Sequence, residues 1–83
     1  MKDLSTIHQA AKKFYINASL EHRGDEDMKR AVQSIGVALL YFENSIENQF
    51  IIRDTRNFIY DLEKEMPNKA SKKLLKGLLK IIK

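Results

Sequence analysis

The 83-residue sequence predicts an all-α protein, a small antiparallel bundle of four helices folded as a single domain over residues 1–83. Length is one reason, because a chain below ~100 residues rarely divides into separate domains. Composition is another. Apolar residues make up 43% of the chain while proline occurs once and glycine three times, which favours a folded helical domain over a disordered segment. Periodicity completes the case, since apolar side chains recur at three- and four-residue steps in successive segments. The expected helices span approximately 5–23, 26–46, 49–66 and 69–82, and their short connections favour antiparallel neighbours.

The first helix is expected to begin near Ser5 or Thr6, whose hydroxyls can accept a bond from an orphan backbone N–H. Thr6 and Gln9 stand at capping-box spacing. Ile7, Ala10, Ala11, Phe14 and Ala18 then form one buried stripe, and Gly24 is the natural stop.

The second helix opens on Asp25, Glu26 and Asp27, carboxylates that a helix N-terminus favours. Behind them Met28, Val32, Ile35, Leu39, Phe42 and Ile46 step by 4, 3, 4, 3 and 4, a bundle-type seam. Val37, Leu40 and Tyr41 add apolar surface outside the seam, which predicts a central helix touched by several neighbours.

Neither glycine nor proline separates this helix from the third, yet the phase predicts a break. Continuing the seam past Ile46 would select Gln49, Arg53, Arg56 and Tyr60. The apolar stripe instead runs through Ile52, Thr55, Ile59, Leu62 and Met66, flanked by Ile51 and Phe58. It changes face near Asn44–Asn48, where Asn44, Ser45 and Asn48 can end or cap a helix. Pro67 stops the third helix because the residue before proline is pushed out of helical geometry. Asn68 can cap the fourth.

A single core in so short a chain supplies only about 3–5 kcal/mol without a further staple. Cysteine is absent, so neither a disulfide nor a thiolate metal site can be that staple. Close helix packing, a bound partner or a homodimer would supply the remainder. The longest apolar run is Val37–Phe42, far short of the ~18 residues of a membrane span. Lys2 and Asp3 do not lead into a signal-type apolar region, and the expected location is cytoplasmic.

Catalytic constellations are hard to find. The serines show no nucleophile-elbow spacing, and Gly24, Gly36 and Gly77 are too far apart to cradle a phosphate. His8 and His22 lie fourteen residues apart, outside metal-ligand spacing. The carboxylates Glu21, Asp25, Glu26 and Asp27 lack the alternating order of a calcium loop and read as helix-start electrostatics. Arg23-Gly24-Asp25 and Asn17-Ala18-Ser19 spell short adhesion and glycosylation strings, which the helix boundary and the absence of a secretory signal explain away. The expectation is therefore a protein that is not an enzyme, with no catalytic residues, no metal and no cofactor.

Charge singles out the last helix. The net charge of +4 conceals a body, residues 1–66, with nine Lys or Arg against eleven Asp or Glu. Residues 67–83 hold six lysines and no acid. On a helical wheel Ala70, Leu74, Leu75, Leu78, Leu79, Ile81 and Ile82 occupy one half. Lys69, Lys72, Lys73, Lys76, Lys80 and Lys83 lie opposite, a single-sign arc suited to an anionic partner. A second candidate surface is the polar stripe of helix three, Gln49, Arg53, Arg56, Tyr60 and Lys64, in which arginine beside tyrosine suits an interface.

These features favour a non-enzymatic protein-binding module of bacterial or phage type, an inhibitor, immunity factor or regulatory adaptor, with an acidic protein surface as partner. In size, helix count and basic end the chain resembles the immunity proteins of class II bacteriocin producers. That likeness of architecture implies an immunity factor. One alternative is nucleic-acid binding through the lysine helix and the Arg53/Arg56/Tyr60 face; the acidic body counts against it, and lysine without arginine on the last helix argues against base-specific or bidentate recognition. Another is peripheral membrane association through the C-terminal amphipathic helix.

Overall fold

Asp3 begins the first helix, α1 (Leu4–Glu21), with its Oδ1 accepting from the Thr6 backbone N–H at 2.8 Å. The cap therefore lies upstream of Ser5 and Thr6, because an N-cap side chain reaches an orphan N–H two or three residues further on and Asp3 is the residue so placed. The computed structural model describes residues 3–82. Over those residues it holds four helices and no strand: α1, α2 (Glu26–Asn44), α3 (Ile51–Lys64) and α4 (Lys69–Ile81).

Each boundary has a local cause. Gly24 takes φ 79°, a left-handed conformation that turns the chain out of α1. Asp25 then caps α2 by accepting from Asp27 N–H at 3.1 Å. The expected break falls at residues 45–50, where Asn48 does two jobs. Its Oδ1 accepts from Phe50 N–H at 2.9 Å and its Nδ2 donates to Asp54 Oδ2 at 2.8 Å, tying the turn to the first turn of α3. Asn68 caps α4 by accepting from Ser71 N–H at 2.8 Å, one residue after Pro67.

The helices run up, down, up, down. Tyr15 meets Gly36 and His8 meets Glu43, an antiparallel register for α1 and α2. Phe14 packs against Gly77 where α1 meets α4. Arg56 against the end of α4, with Glu63 against Lys76, sets α3 antiparallel to α4. Across the bundle, the start of α4 reaches the start of α2, where Ser71 Oγ donates to the Asp27 carbonyl at 3.2 Å. That diagonal is packed whereas α1 and α3 do not meet, so α2 and α4 each touch all three other helices.

The core differs from the expected stripes in ways this geometry explains. In α2 the buried line is Met28, Ala31, Ile35, Ala38 and Phe42, while Val32 and Leu39 are half-buried. Ile46 lies past the helix end and is 44% exposed. Met28, Ile35 and Phe42 of the expected seam are thus buried, whereas Val32 and Leu39 mark one edge of a broad inward face. That face stretches from Gly36, under the Tyr15 ring, to Tyr41, stacked on Phe58 at 4.7 Å between centroids. Alanines occupy its middle.

α2 is central as expected, although Val37 and Leu40 remain exposed because no helix packs over them. Ala10 and Ala70, placed on inward stripes by periodicity, are exposed as well. Ser71, outside the expected stripe, is fully buried with its hydroxyl engaged by Asp27 and lying 3.7 Å from Met28 Sδ. The third stripe holds: Ile51, Thr55 and Ile59 of α3 and Met66 just past its end are buried, with Ile52, Phe58 and Leu62 beside them. In α4, Leu75, Leu78, Leu79 and Ile82 are buried, with Leu74 and Ile81 half-buried. No helix among the described residues is long and apolar enough to cross a membrane.

Candidate functional site

The lysines of α4 divide according to their place on the helix. Lys72, Lys76 and Lys80 recur every four residues and form one row along the seam with α3. Opposite them stand Tyr60 and Lys64, one turn apart on α3. Between the two rows runs an open groove whose floor is Leu79, only 6% exposed, and the partly covered Glu63. The two surfaces that periodicity treats separately thus meet, because α3 and α4 pack side by side and antiparallel.

Charge in the groove is strongly one-sided. Four lysines face one carboxylate, and Glu63 Oε1 pairs with Lys76 Nζ at 3.6 Å. The Lys76 side chain is 64% exposed, so this pair contributes little stability and leaves its ammonium open to solvent on other sides. Tyr60 presents an accessible ring, 43% exposed, at the groove rim.

Arg56 supports this rim from beneath. Its Nη1 donates to the Leu79 carbonyl at 2.8 Å and to the Ile82 carbonyl, while Nη2 donates to Tyr60 Oη at 3.3 Å. The guanidinium also lies 5.8 Å from the Tyr60 ring centroid. Helix ends leave carbonyls without intrahelical donors and carry partial negative charge, so a guanidinium there satisfies both needs. Arg56 consequently holds the last turn of α4 in place and is committed to backbone.

The other expected binding residues lie elsewhere. Arg53 sits 4.4 Å over the Phe50 ring, and its Nε donates to Asp54 Oδ1 at 3.2 Å, at the start of α3. Hydrogen bonds from Asn48, assisted by Arg53, hold the Asp54 carboxyl below the usual aspartate range despite a smaller opposing effect of burial. Lys73 faces the other side of α4, beside Phe14 of α1 and His22 just past its end. Lys69 is exposed in the first turn of α4. Lys83 lies outside the described residues.

The histidines are occupied locally. His8 Nε2 meets Glu43 Oε1 at 2.8 Å, and its ring stacks on Phe42 with centroids 6.1 Å apart. His22 Nδ1 lies 3.8 Å from Asp25 Oδ2. Among the described residues, no three His, Cys, Asp or Glu side chains converge as metal ligands would.

Glu63 and Leu79 are the groove residues that sequence reasoning missed as site residues. Leu79 appears there simply as a core leucine. Glu63 carries no signal, because its pairing with Lys76 needs knowledge of how α3 slides along α4. Chemically, the groove offers ammonium groups on exposed lysines, a phenol and an apolar floor, a set that attracts anions and accepts an apolar side chain between them. Comparison with protein-family models, curated proteins and solved structures finds no match to the chain.

Proposed function

We propose that this protein is a non-enzymatic protein-binding module, an inhibitor, immunity factor or regulatory adaptor, that engages an acidic protein surface through the α3–α4 groove. The observation that carries this reading is the convergence of Lys64, Lys72, Lys76 and Lys80 around Tyr60 and Leu79. Interfaces favour this combination, in which an aromatic and an aliphatic anchor are ringed by charges that steer the encounter.

Peripheral membrane association is less well supported. Leu75, Leu78 and Ile82 are at most 2% exposed, so α4 would have to leave the core to offer its apolar face to lipid.

The test is to isolate the tagged protein from its native host and identify retained proteins by mass spectrometry, beside the K72E/K76E/K80E variant. The expected result is an acidic protein retained by the parent and lost from the variant. Equal retention by both would remove the groove as the binding site.

A further inference from the structure

We infer that the partner fills the α3–α4 groove with an acidic amphipathic α-helix, its carboxylates repeating at i, i+4 and i+8 and its apolar face turned to Leu79 and Tyr60. This inference rests on the protein-binding reading above and specifies its occupant.

The spacing of the cations is the first support. Lys72, Lys76 and Lys80 are four residues apart on a continuous helix, so each step rises about 6 Å and the row spans about 12 Å. A helix laid along that row repeats its own i, i+4 positions at the same ~6 Å interval. Successive carboxylates then meet successive ammonium groups in phase. The groove is itself the furrow between two antiparallel helices, and a furrow of this kind accepts a third helix by ridge-into-groove packing.

The floor is the second support. Leu79 and the exposed Tyr60 ring offer apolar surface beside the lysine row of α4, which a leucine or phenylalanine on the docking helix can cover. A sugar–phosphate backbone gains little from such a floor.

The identity of the cations is the third. Planar guanidinium groups clamp carboxylate and phosphate alike with two parallel hydrogen bonds, whereas ammonium groups act as point charges whose selectivity lies in their spacing. Arg56 is committed to the Leu79 and Ile82 carbonyls, and Arg53 to Asp54 and Phe50. What faces the groove is lysine, matched to single carboxylates at regular intervals.

Fluorescence anisotropy with synthetic peptides of about 18 residues, long enough to form a helix, tests this directly. One peptide carries glutamates at i, i+4 and i+8 with leucines on the adjoining face. A second has the same composition with glutamates and leucines scattered around the wheel. Mixed-sequence duplex and single-stranded DNA serve as further probes at about 50 mM salt. The expected result is that the patterned peptide binds about tenfold more tightly than the scattered one and gains helicity on binding. The K72E/K76E/K80E variant should lose about tenfold or more, as three exposed ion pairs imply, and the milder K72Q/K80Q variant an intermediate amount. K12E/K13E on α1 should leave the affinity unchanged.

Equal binding of the two peptides would overturn the helical occupant. Tighter binding of DNA than of the patterned peptide would overturn both this inference and the protein-binding reading. If neither peptide binds, yet a photo-crosslinker at position 76 captures an acidic host protein that the parent chain displaces, the helix is wrong and the protein-binding reading stands.

Discussion

Arg56 Nη1 donates to the Leu79 carbonyl at 2.8 Å, joining the middle of α3 to the last turn of α4. Because the same guanidinium reaches the Ile82 carbonyl and Tyr60 Oη, one side chain anchors both walls of the groove. Arg56→Ala is expected to lower the unfolding free energy by about 1.5–3 kcal/mol, the range for hydrogen bonds made by a charged group. Urea denaturation measures the loss, and hydrogen exchange should show it as faster opening of the amides in the last turn of α4. Arg56→Lys should recover only part, because an ammonium group lacks the planar fork that spans two carbonyls.

Thr55 presents the opposite case. It is 1% exposed, and its hydroxyl Oγ1 is buried without a hydrogen-bond partner. Valine has nearly the same shape and no group to desolvate. Thr55→Val is therefore expected to stabilise the fold by about 1 kcal/mol, visible as a higher urea midpoint at unchanged slope. A destabilised variant would show that the hydroxyl has a partner after all.

Gly24 is needed for its backbone and not for its size. A Cβ at this position would meet nothing within 4 Å, yet the φ of 79° disfavours any side chain. Gly24→Ala should cost about 1–2 kcal/mol despite the open space. Gly24→Asn should cost less, because asparagine tolerates the left-handed region better. Thermal unfolding of the two variants side by side checks the order.

Acid should loosen two helix starts. The Thr6 backbone N–H, and secondarily the Thr6 side chain, hold the Asp3 carboxyl below the ordinary aspartate value of 3.8 against a weaker effect of burial. Asp54 is lowered chiefly by Asn48. A folded value below the unfolded one means that the stabilisation is fully present above the unfolded value. It is lost as pH falls from about 4 through the folded value. Carboxyl chemical shifts should titrate below 3.8 at both residues, and amide exchange near Thr6 should rise over the same range. Asp3→Asn, which still accepts a hydrogen bond, should keep the cap and abolish its pH dependence.

By itself the sequence determined the helical class, the punctuation and the amphipathic faces, since each depends on residues within about four positions of one another. Gly24 ends α1, Asn48 shapes the break, and Asn68 after Pro67 starts α4, all readable from neighbouring residues. The row Lys72, Lys76 and Lys80 is equally local, because the helix repeat alone places it on one face. The tertiary structure decided what those faces meet. Packing on the α2–α4 diagonal put Ala31 and Ala38 at the centre of the core and buried Ser71, while Val37 and Leu40 stayed outside. The slide of α3 against α4 brought Tyr60 and Glu63 to the lysine row and committed Arg56 to carbonyls 23 and 26 residues away. Periodicity fixes the angle of a side chain about its own helix axis, but it carries no information on the offset between two helices. That offset created the groove.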